Sequence, residues 1–447
     1  MAKQSPQRVA IIGAGWAGCA AAVMLCQADH RVTLYEAAKT PGGRARRVRL
    51  HNRNLDNGQH ILLGAYRQIL KLMQQVGIPQ DQAFVRLPLQ MVYPDPQADM
   101  ALIAAHLPAP LHLLAGLWQA TGLQRADKLA LIRFSSAARW MGWQLYQDCS
   151  VTELLARFGQ TDRLCQLMWY PLCLAALNTR PEQASAQVFL HVLRDSLGAR
   201  RSASDMLLPR MDLSALFPEQ AIRFLRQRGA EVHCQQPVRQ LKRGHERSWS
   251  VQTADTQTDG FDAVIVATEA RNAQRLIVRT QLETTPLPVF ADEAITTCYL
   301  QYDAAFQLPR AMYALKEDAS RQYWGQYVFD RGQLHPDQAG LLAVVVSAPD
   351  LNITHDHAGL AAAIAHQLAC ELRLPVLAQP LWHQVITEKK ATFRCTPGLQ
   401  RPDNLTTISG LLLAGDYTRG DYPATLEGAV RSGQRAAQLI ITGQASF

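Results

Sequence analysis

Three glycines and one acid near the start of the chain have the types and order needed to hold a dinucleotide: Gly13, Gly15, Gly18 and Glu36. Gly13 permits a tight turn. Gly15 has no side chain, so a pyrophosphate can approach the backbone at a helix N-terminus, where free amides and the helix dipole favour negative charge. Gly18 lets a helix and a strand pack closely. Glu36 is placed to accept hydrogen bonds from ribose hydroxyls. Glycines in this spacing are a weak signal alone, and their setting makes it strong. Residues 9–12 are a β-branched run suited to a buried parallel strand, residues 19–25 a small, apolar helix, and residues 31–35 a second strand with Glu36 at its end. Trp16 and Ala17 fall inside this fingerprint and join the cofactor-binding set.

The 447 residues are 48% hydrophobic and 18% charged, enough for two or more domains with sizeable cores. The net charge of +8 suits an anionic surface. No basic-aromatic motif or helix-turn-helix pattern accompanies it, so nucleic acid is not expected as a partner. The nine cysteines show no C-x-x-C pair and no zinc spacing, and read as reduced packing thiols. No metal site is expected, and His355 and His357 read as a solvated loop. No signal peptide is read ahead of the first strand, so a cytoplasmic protein is expected.

Residues 100–124 carry no formal charge. A membrane span is not expected from them, because Pro108 and Pro110 interrupt any helix and His106 and His112 are costly in lipid. The stretch reads as a monotopic patch or the mouth of a lipid tunnel, with ordinary core as the alternative. Helices are expected over residues 66–76, 128–143, 151–177, 184–197, 217–228 and 357–372. Strands are expected over 84–93 and 100–105, joined at Pro94-Asp95-Pro96. Further strands are expected over 231–241, 248–253, 261–267, 295–302, 323–329, 341–347, 382–387 and 410–414. Arg46, Arg47, Arg49 and Arg53 read as a solvated strand and turn.

The residues after Glu36 narrow the dinucleotide. Thr40-Pro41-Gly42-Gly43-Arg44-Ala45 resembles the second glycine motif of the FAD-containing amine oxidase and phytoene desaturase superfamily. Residues 410–433, with Gly415-Asp416 and then Tyr422 to Gly433, are similar to its closing motif. The resemblance implies FAD as cofactor and an α/β fold: a FAD-binding Rossmann-like domain of the glutathione reductase type with an inserted α+β substrate domain. It implies that Gly43 and Arg44, with Gly415 and Asp416, meet the diphosphate and ribityl region, and that backbone near Val238 meets adenine. Thr425 and Leu426 open the last helix, whose positive end would face the flavin ring and favour its anionic reduced form. Residues 55–60 resemble the superfamily's D-x-G segment, which passes the ring. This puts Gly58 in the cofactor set and Asp56 and His60 near the reacting atoms. Residues 1–83, 205–290 and 393–447 are then the flavin domain, and 84–204 and 291–392 the substrate domain, with apolar helices that face a membrane.

A narrower resemblance rests on residues 205–217 (DMLLPRMDLSALF), 56–60 and 387–392. These are similar to the bacterial squalene-associated FAD-dependent desaturases, the hydroxysqualene dehydroxylase family, and the likeness covers essentially the whole chain. It implies an enzyme that removes the hydroxyl of hydroxysqualene and delivers hydride, giving squalene for hopanoid synthesis. A long isoprenoid substrate and a peripheral place on the inner face of the cytoplasmic membrane follow as expectations. Loss of hydroxide from carbon needs an acid. Asp56 and His60 are the first candidates. Asp195, beside Arg194 on an apolar helix, is the third, and an Arg194–Asp195 ion pair is its structural alternative. Tyr422 and water stay open as donors. A carotenoid-type desaturase would use the same fold with hydride moving the other way. An amine oxidase is disfavoured, since Thr425 stands where a cage tyrosine is common and no lysine lies in 295–302. A non-catalytic prenyl-lipid carrier of the Rab GDP-dissociation inhibitor kind is disfavoured by intact glycine motifs at both ends. A single dinucleotide fingerprint leaves NADPH no second site, and the sequence specifies no electron donor.

Overall fold

A computed structural model of the chain describes residues 5–95, 99–244, 248–283, 285–350 and 355–445. Its organising element is a five-stranded parallel sheet. The strands run in the order Glu231–His233, Arg31–Tyr35, Arg8–Ile12, Ala263–Val266 and Leu411–Leu413. Side chains alternate between the two faces of a strand. Val9, Ile11, Val32, Leu34 and Ile265 enter one core with the helices Trp16–Gln27, Pro218–Gln227 and Leu426–Ile441. Ala10, Ile12, Val264, Val266 and Leu413 enter another with Leu241, Trp249, Val251 and Phe261 of a three-stranded antiparallel sheet, Gln240–Arg243, Trp249–Gln252 and Gln257–Phe261. Burial on both faces is why these strands read as unbroken apolar runs. The helix Trp16–Gln27 is apolar and mostly small through Gly18–Ala22 because it is buried nearly all round. At Gly433 a Cβ would lie 2.0 Å from the Ala17 carbonyl oxygen, so the first and last helices touch backbone to backbone.

A second, antiparallel sheet runs in the order Met312–Ala314, Tyr327–Asp330, Leu341–Ser347, Asp292–Gln301 and Trp382–Phe393. One face packs on the helix His357–Glu371 through Leu342, Val344, Ile364 and Leu368. The other shares a core with the helical segments between 151 and 196 through Tyr299, Phe329, Ala343, Trp169 and Phe189. The chain thus forms an α/β layered body with an inserted α+β body.

Several expected elements divide. The single strand expected over 84–93 is two, because Pro88 cannot donate to a ladder. Phe84–Leu87 pairs with Met206–Pro209, and Gln90–Val92 pairs with Ala101–Ile103. The first pairing joins a strand read into the substrate domain (84–204) to one read into the flavin domain (205–290). Pro96 of the expected turn lies outside the described residues. The long helix expected over 151–177 breaks after Val151–Arg157 at Gly159 (φ +58°) and resumes through a π-helical turn, Cys165–Trp169, into Tyr170–Leu177. Residues 231–241 leave the parallel sheet at His233 and re-enter structure in the antiparallel one at Gln240. The helix expected over 357–372 is observed as His357–Glu371, so His357 opens that helix rather than sharing a loop with His355. Residues 100–124 form the strand Ala101–Ile103 and the helix Leu111–Gln119. Among the described residues no helix is long and apolar enough to cross a membrane.

Candidate active site

The glycines do different work. A Cβ at Gly13 (φ +107°) would lie 2.9 Å from the Ala267 carbonyl oxygen, and one at Gly18 would lie 1.9 Å from that of Gly13. Both glycines are dictated by how strand and helix meet. Gly15 is not. Its φ is −73°, and the nearest atom to an added Cβ is Gly43 Cα, 3.9 Å away. The open space over Gly15 is therefore walled by the second glycine motif. Gly42 donates its N–H to Ala14 O at 2.9 Å, and Gly43 has φ +64°. Buried Trp16 fixes the two motifs together, donating from its indole to Ala45 O at 3.4 Å and packing on Phe217 at 5.2 Å between ring centroids. Ala17 lies under Gly433.

Glu36 accepts from the Ala14 N–H (2.7 Å) and the Ala38 N–H (2.8 Å) through its two carboxylate oxygens. Its backbone donates to His233 O and accepts from the Gln236 N–H at 2.9 Å, which brings the segment leading to Val238 alongside it. Across the sheet, Arg44 pairs with Asp416 at 2.5 Å and donates to Ala391 O at 3.2 Å. The Gly415 N–H donates to Ser432 Oγ at 2.9 Å. Thr425 caps the last helix by accepting from the Gly428 N–H at 3.0 Å, and Leu426 is that helix's first residue.

The segments with the narrower resemblance converge on the glycine–arginine turn. Asn57 donates to Arg44 O (2.7 Å) and Glu388 Oε2 (3.3 Å) and accepts from the Arg46 N–H. Asp56 Oδ1 accepts from the Leu213 N–H at 2.7 Å, and Ser214 donates to Pro41 O at 3.0 Å. Asp56 Oδ2 faces Arg331 Nη2 at 4.0 Å, both side chains being buried. Burial pushes the Asp56 carboxyl up to about 7 against the pull of Arg331 and the Leu213 amide. His60 Nδ1 lies 2.7 Å from Gly58 O and must carry the hydrogen, so the neutral ring presents Nε2 as an acceptor. Burial pulls the His60 pKa down, opposed by that carbonyl. Asp195 lies in a different cluster. Arg194 holds it at 2.7 and 3.1 Å, the Tyr422 hydroxyl donates to it, and the Arg431 guanidinium stands 4.5 Å over the Tyr422 ring. The helix Ala186–Ser196 thus meets the closing motif through the Tyr422–Asp195 hydrogen bond and an Arg194–Asp421 ion pair at 3.2 Å. Among the described residues no hydrogen bond joins this cluster to Asp56 or His60.

The family model for flavin containing amine oxidoreductases matches residues 16–441. The chain belongs to that family. A hydroxysqualene dehydroxylase from Rhodopseudomonas palustris is 30% identical over 97% of this chain and 98% of its own length. Another from Sinorhizobium fredii is 28% identical over 98% and 99%. The fold is also that of wild-type putrescine oxidase bound to putrescine, with a TM-score of 0.66 and 18% identity over 98% of this chain and 99% of that one.

FAD is the cofactor of a member of this family, and the open, backbone-walled space over Gly15 fits a diphosphate. Two buried residues at the site escaped sequence reasoning. Arg331 is 1% exposed and donates to Gln59 Oε1 (2.7 Å) and Gln338 Oε1 (2.9 Å) while its other nitrogen faces Asp56. Glu427, fully buried, accepts from the Gln68 and Ile69 N–H groups and pairs with Arg431 at 2.8 Å. A signal for Glu427 was available, an acid in the first turn of the closing helix. Arg331 has no local signal. Two of the arginines read as solvated are tied down: Arg47 pairs with Asp212 and Glu219, and Arg53 donates to Gln301 Oε1 at 2.5 Å, while Arg49 is exposed.

Proposed function

We propose that this chain is a FAD-dependent hydroxysqualene dehydroxylase, converting hydroxysqualene to squalene for hopanoid synthesis. The observation that carries the reading is the convergence of residues 56–60, 205–217 and 387–392 on the Gly42-Gly43-Arg44 turn. Near-full-length similarity to dehydroxylases supports it. We assign residues 1–83, 205–290 and 393–447 to the flavin domain and 84–204 and 291–392 to the substrate domain. Gly13, Gly15, Trp16, Ala17, Gly18, Gly43, Arg44, Gly415 and Asp416 would hold the diphosphate and ribityl, Glu36 and Val238 the adenosine, and Gly58, Thr425 and Leu426 the ring.

When bound and reduced, FAD supplies the hydride. The chain must do the rest. An acid donates a proton to the substrate's hydroxyl oxygen, the carbon–oxygen bond breaks and water departs. The allylic cation that remains is closed by the new carbon–hydrogen bond, so alcohol, proton and hydride balance alkene and water. A carboxyl whose pKa burial lifts toward neutrality, as that of Asp56, suits that acid role. His60, whose Nδ1–H is held by Gly58 O, would first have to take up a proton on Nε2 to serve as the acid. Asp195, through Tyr422, is the competing donor set. An apolar wall excludes water that would trap the cation. The enzyme is proposed to work in the cytoplasm, peripherally on the inner face of an anionic membrane.

Anaerobic incubation of the reduced protein with hydroxysqualene tests the reading. Squalene formed in step with flavin oxidation is the expected result. No turnover of hydroxysqualene, with oxidised protein instead introducing double bonds into an acyclic carotenoid precursor, would transfer the assignment to a desaturase.

A further inference from the structure

Exposed apolar side chains gather on one part of this molecule. On the helix Leu111–Gln119, Leu111, Leu114 and Trp118 are exposed at helical spacing, Trp118 by 84%, and Leu107 continues the ridge. The buried face of the same helix carries His112, Gly116 and Leu117. Lys128 donates to the Trp118 and Ala120 carbonyls at 2.9 Å each, tying on the helix Arg125–Trp140, which exposes Leu129 and, by 89%, Trp140. Between residues 100 and 147 the one acid is Asp127. It is buried and bonded to the Gln124 N–H and the Thr161 hydroxyl, so the charges this surface presents are those of Arg125, Lys128, Arg133 and Arg139.

The ridge also ends at a basic cleft. His106 meets Arg201 at 2.9 Å and His112 meets Ser204 at 3.3 Å. The same short segment lines a cleft of about 410 Å³ with Gly64, Arg67, Arg200, Ser202 and Ala203. Arg67 and Arg200 are exposed and have no ion-pair partner among the described residues.

We infer that this ridge is a membrane-docking face that seats Leu111, Leu114 and Trp118 at the headgroup–acyl boundary of an anionic phospholipid bilayer, with a lipid phosphate in the Arg67–Arg200 cleft. The argument is charge complementarity: an apolar ridge with two indoles is rimmed by cations and offers no exposed acid. The inference gives the proposed peripheral attachment its surface and rests on it for the choice of ligand.

The test uses full-length holoprotein and vesicles of phosphatidylcholine, alone or mixed with phosphatidylglycerol. Wild type should sediment with the mixed vesicles, release in high salt, and shift its tryptophan emission to the blue, the shift shrinking in Trp118→Phe. Arg200→Gln with Arg67→Gln should weaken binding about fivefold per arginine removed. Leu111→Asn with Leu114→Asn should weaken it about tenfold or more. Detergent-dispersed hydroxysqualene should be turned over equally by all variants, which keeps the enzymatic reading separate. Failure of wild type to bind mixed vesicles overturns membrane attachment itself. Full binding by both double variants overturns this face. A dimer in wild type that is lost in the leucine variant, without vesicle binding, assigns the ridge to a second copy instead.

Discussion

Gly15→Ala separates what the fold needs from what the cofactor needs. The residue's φ of −73° suits alanine, and the new methyl would have only Gly43 Cα near it, at 3.9 Å. The cofactor-free fold should lose no more than about 1 kcal/mol, the penalty for alanine in place of glycine at a helix N-cap. Gly18→Ala is the control. Its methyl would sit 1.9 Å from a backbone oxygen, far inside contact distance, so strand and helix must separate at about 3 kcal/mol or more. For FAD binding the first variant should be severe. The methyl fills the space where the pyrophosphate meets backbone amides, and losing one charge-assisted hydrogen bond costs about 1.5–3 kcal/mol. Affinity should fall by a factor of about 10 to 150. The assay is flavin absorbance per mole of purified protein, with thermal unfolding in the presence and absence of added FAD. Gly15→Ala should keep the cofactor-free melting temperature, purify largely colourless, and show a reduced shift on adding FAD. Full flavin content after dialysis, or a loss of cofactor-free stability matching Gly18→Ala, would refute the reasoning.

Three further outcomes follow from the buried charges. Burial raises the Asp56 pKa from 3.8 to about 7, so between those values the folded state keeps a proton that the unfolded chain has lost. This group's contribution therefore declines as pH rises through that window. Asp56→Asn keeps an acceptor for the Leu213 N–H and should flatten the decline in denaturant midpoints; an unchanged slope would sink the assignment. Glu427→Ala leaves the Gln68 and Ile69 amides without their acceptor, while Arg431, 37% exposed, can turn to water; the change should cost about 2–4 kcal/mol by chemical unfolding, with Glu427→Gln milder. A change within error for both would show that the cluster is not structural. Single-turnover oxidation of reduced flavin by substrate should slow by about two to four orders of magnitude when the true acid is replaced in Asp56→Asn, His60→Gln, Asp195→Asn or Tyr422→Phe at unchanged flavin content. Near-normal rates in all four would leave bound water as the donor.

The flavin half was legible because its constraints are local. A tight turn, a close helix and a buried strand each restrict residue type within a few positions, so residues 8–36 could be read in order. The inserted half was read less well because its constraints are not local. Pro88 splits one expected strand and assigns the halves to different partners, a choice made by Met206–Pro209 far along the chain. Gly159 divides a helical pattern whose apolar periodicity is otherwise continuous. The same limit applies to chemistry. Asp56 was picked out from its neighbours, but the arginine facing it comes from residue 331, and nothing around residue 331 announces a partner. Arg47 appears solvent-bound in its arginine-rich run until Asp212 and Glu219 arrive from the segment that carries the narrow resemblance.

The backbone contact between Gly433 and Ala17 has a bearing on how the protein is made. The strand Arg8–Ile12 leaves the ribosome well before the strand Leu411–Leu413 and the helix Leu426–Ile441. Arg44 likewise waits for Asp416, and the helix Arg67–Gln75 for the carboxylate of Glu427. A nascent chain therefore carries both glycine motifs without the Asp416 and closing-helix contacts until those segments follow. Contacts this distant in sequence form late and slowly. Flavin retention should then wait for the closing helix, and chains terminated before residue 426 should emerge unable to retain the cofactor however intact their N-terminal motif.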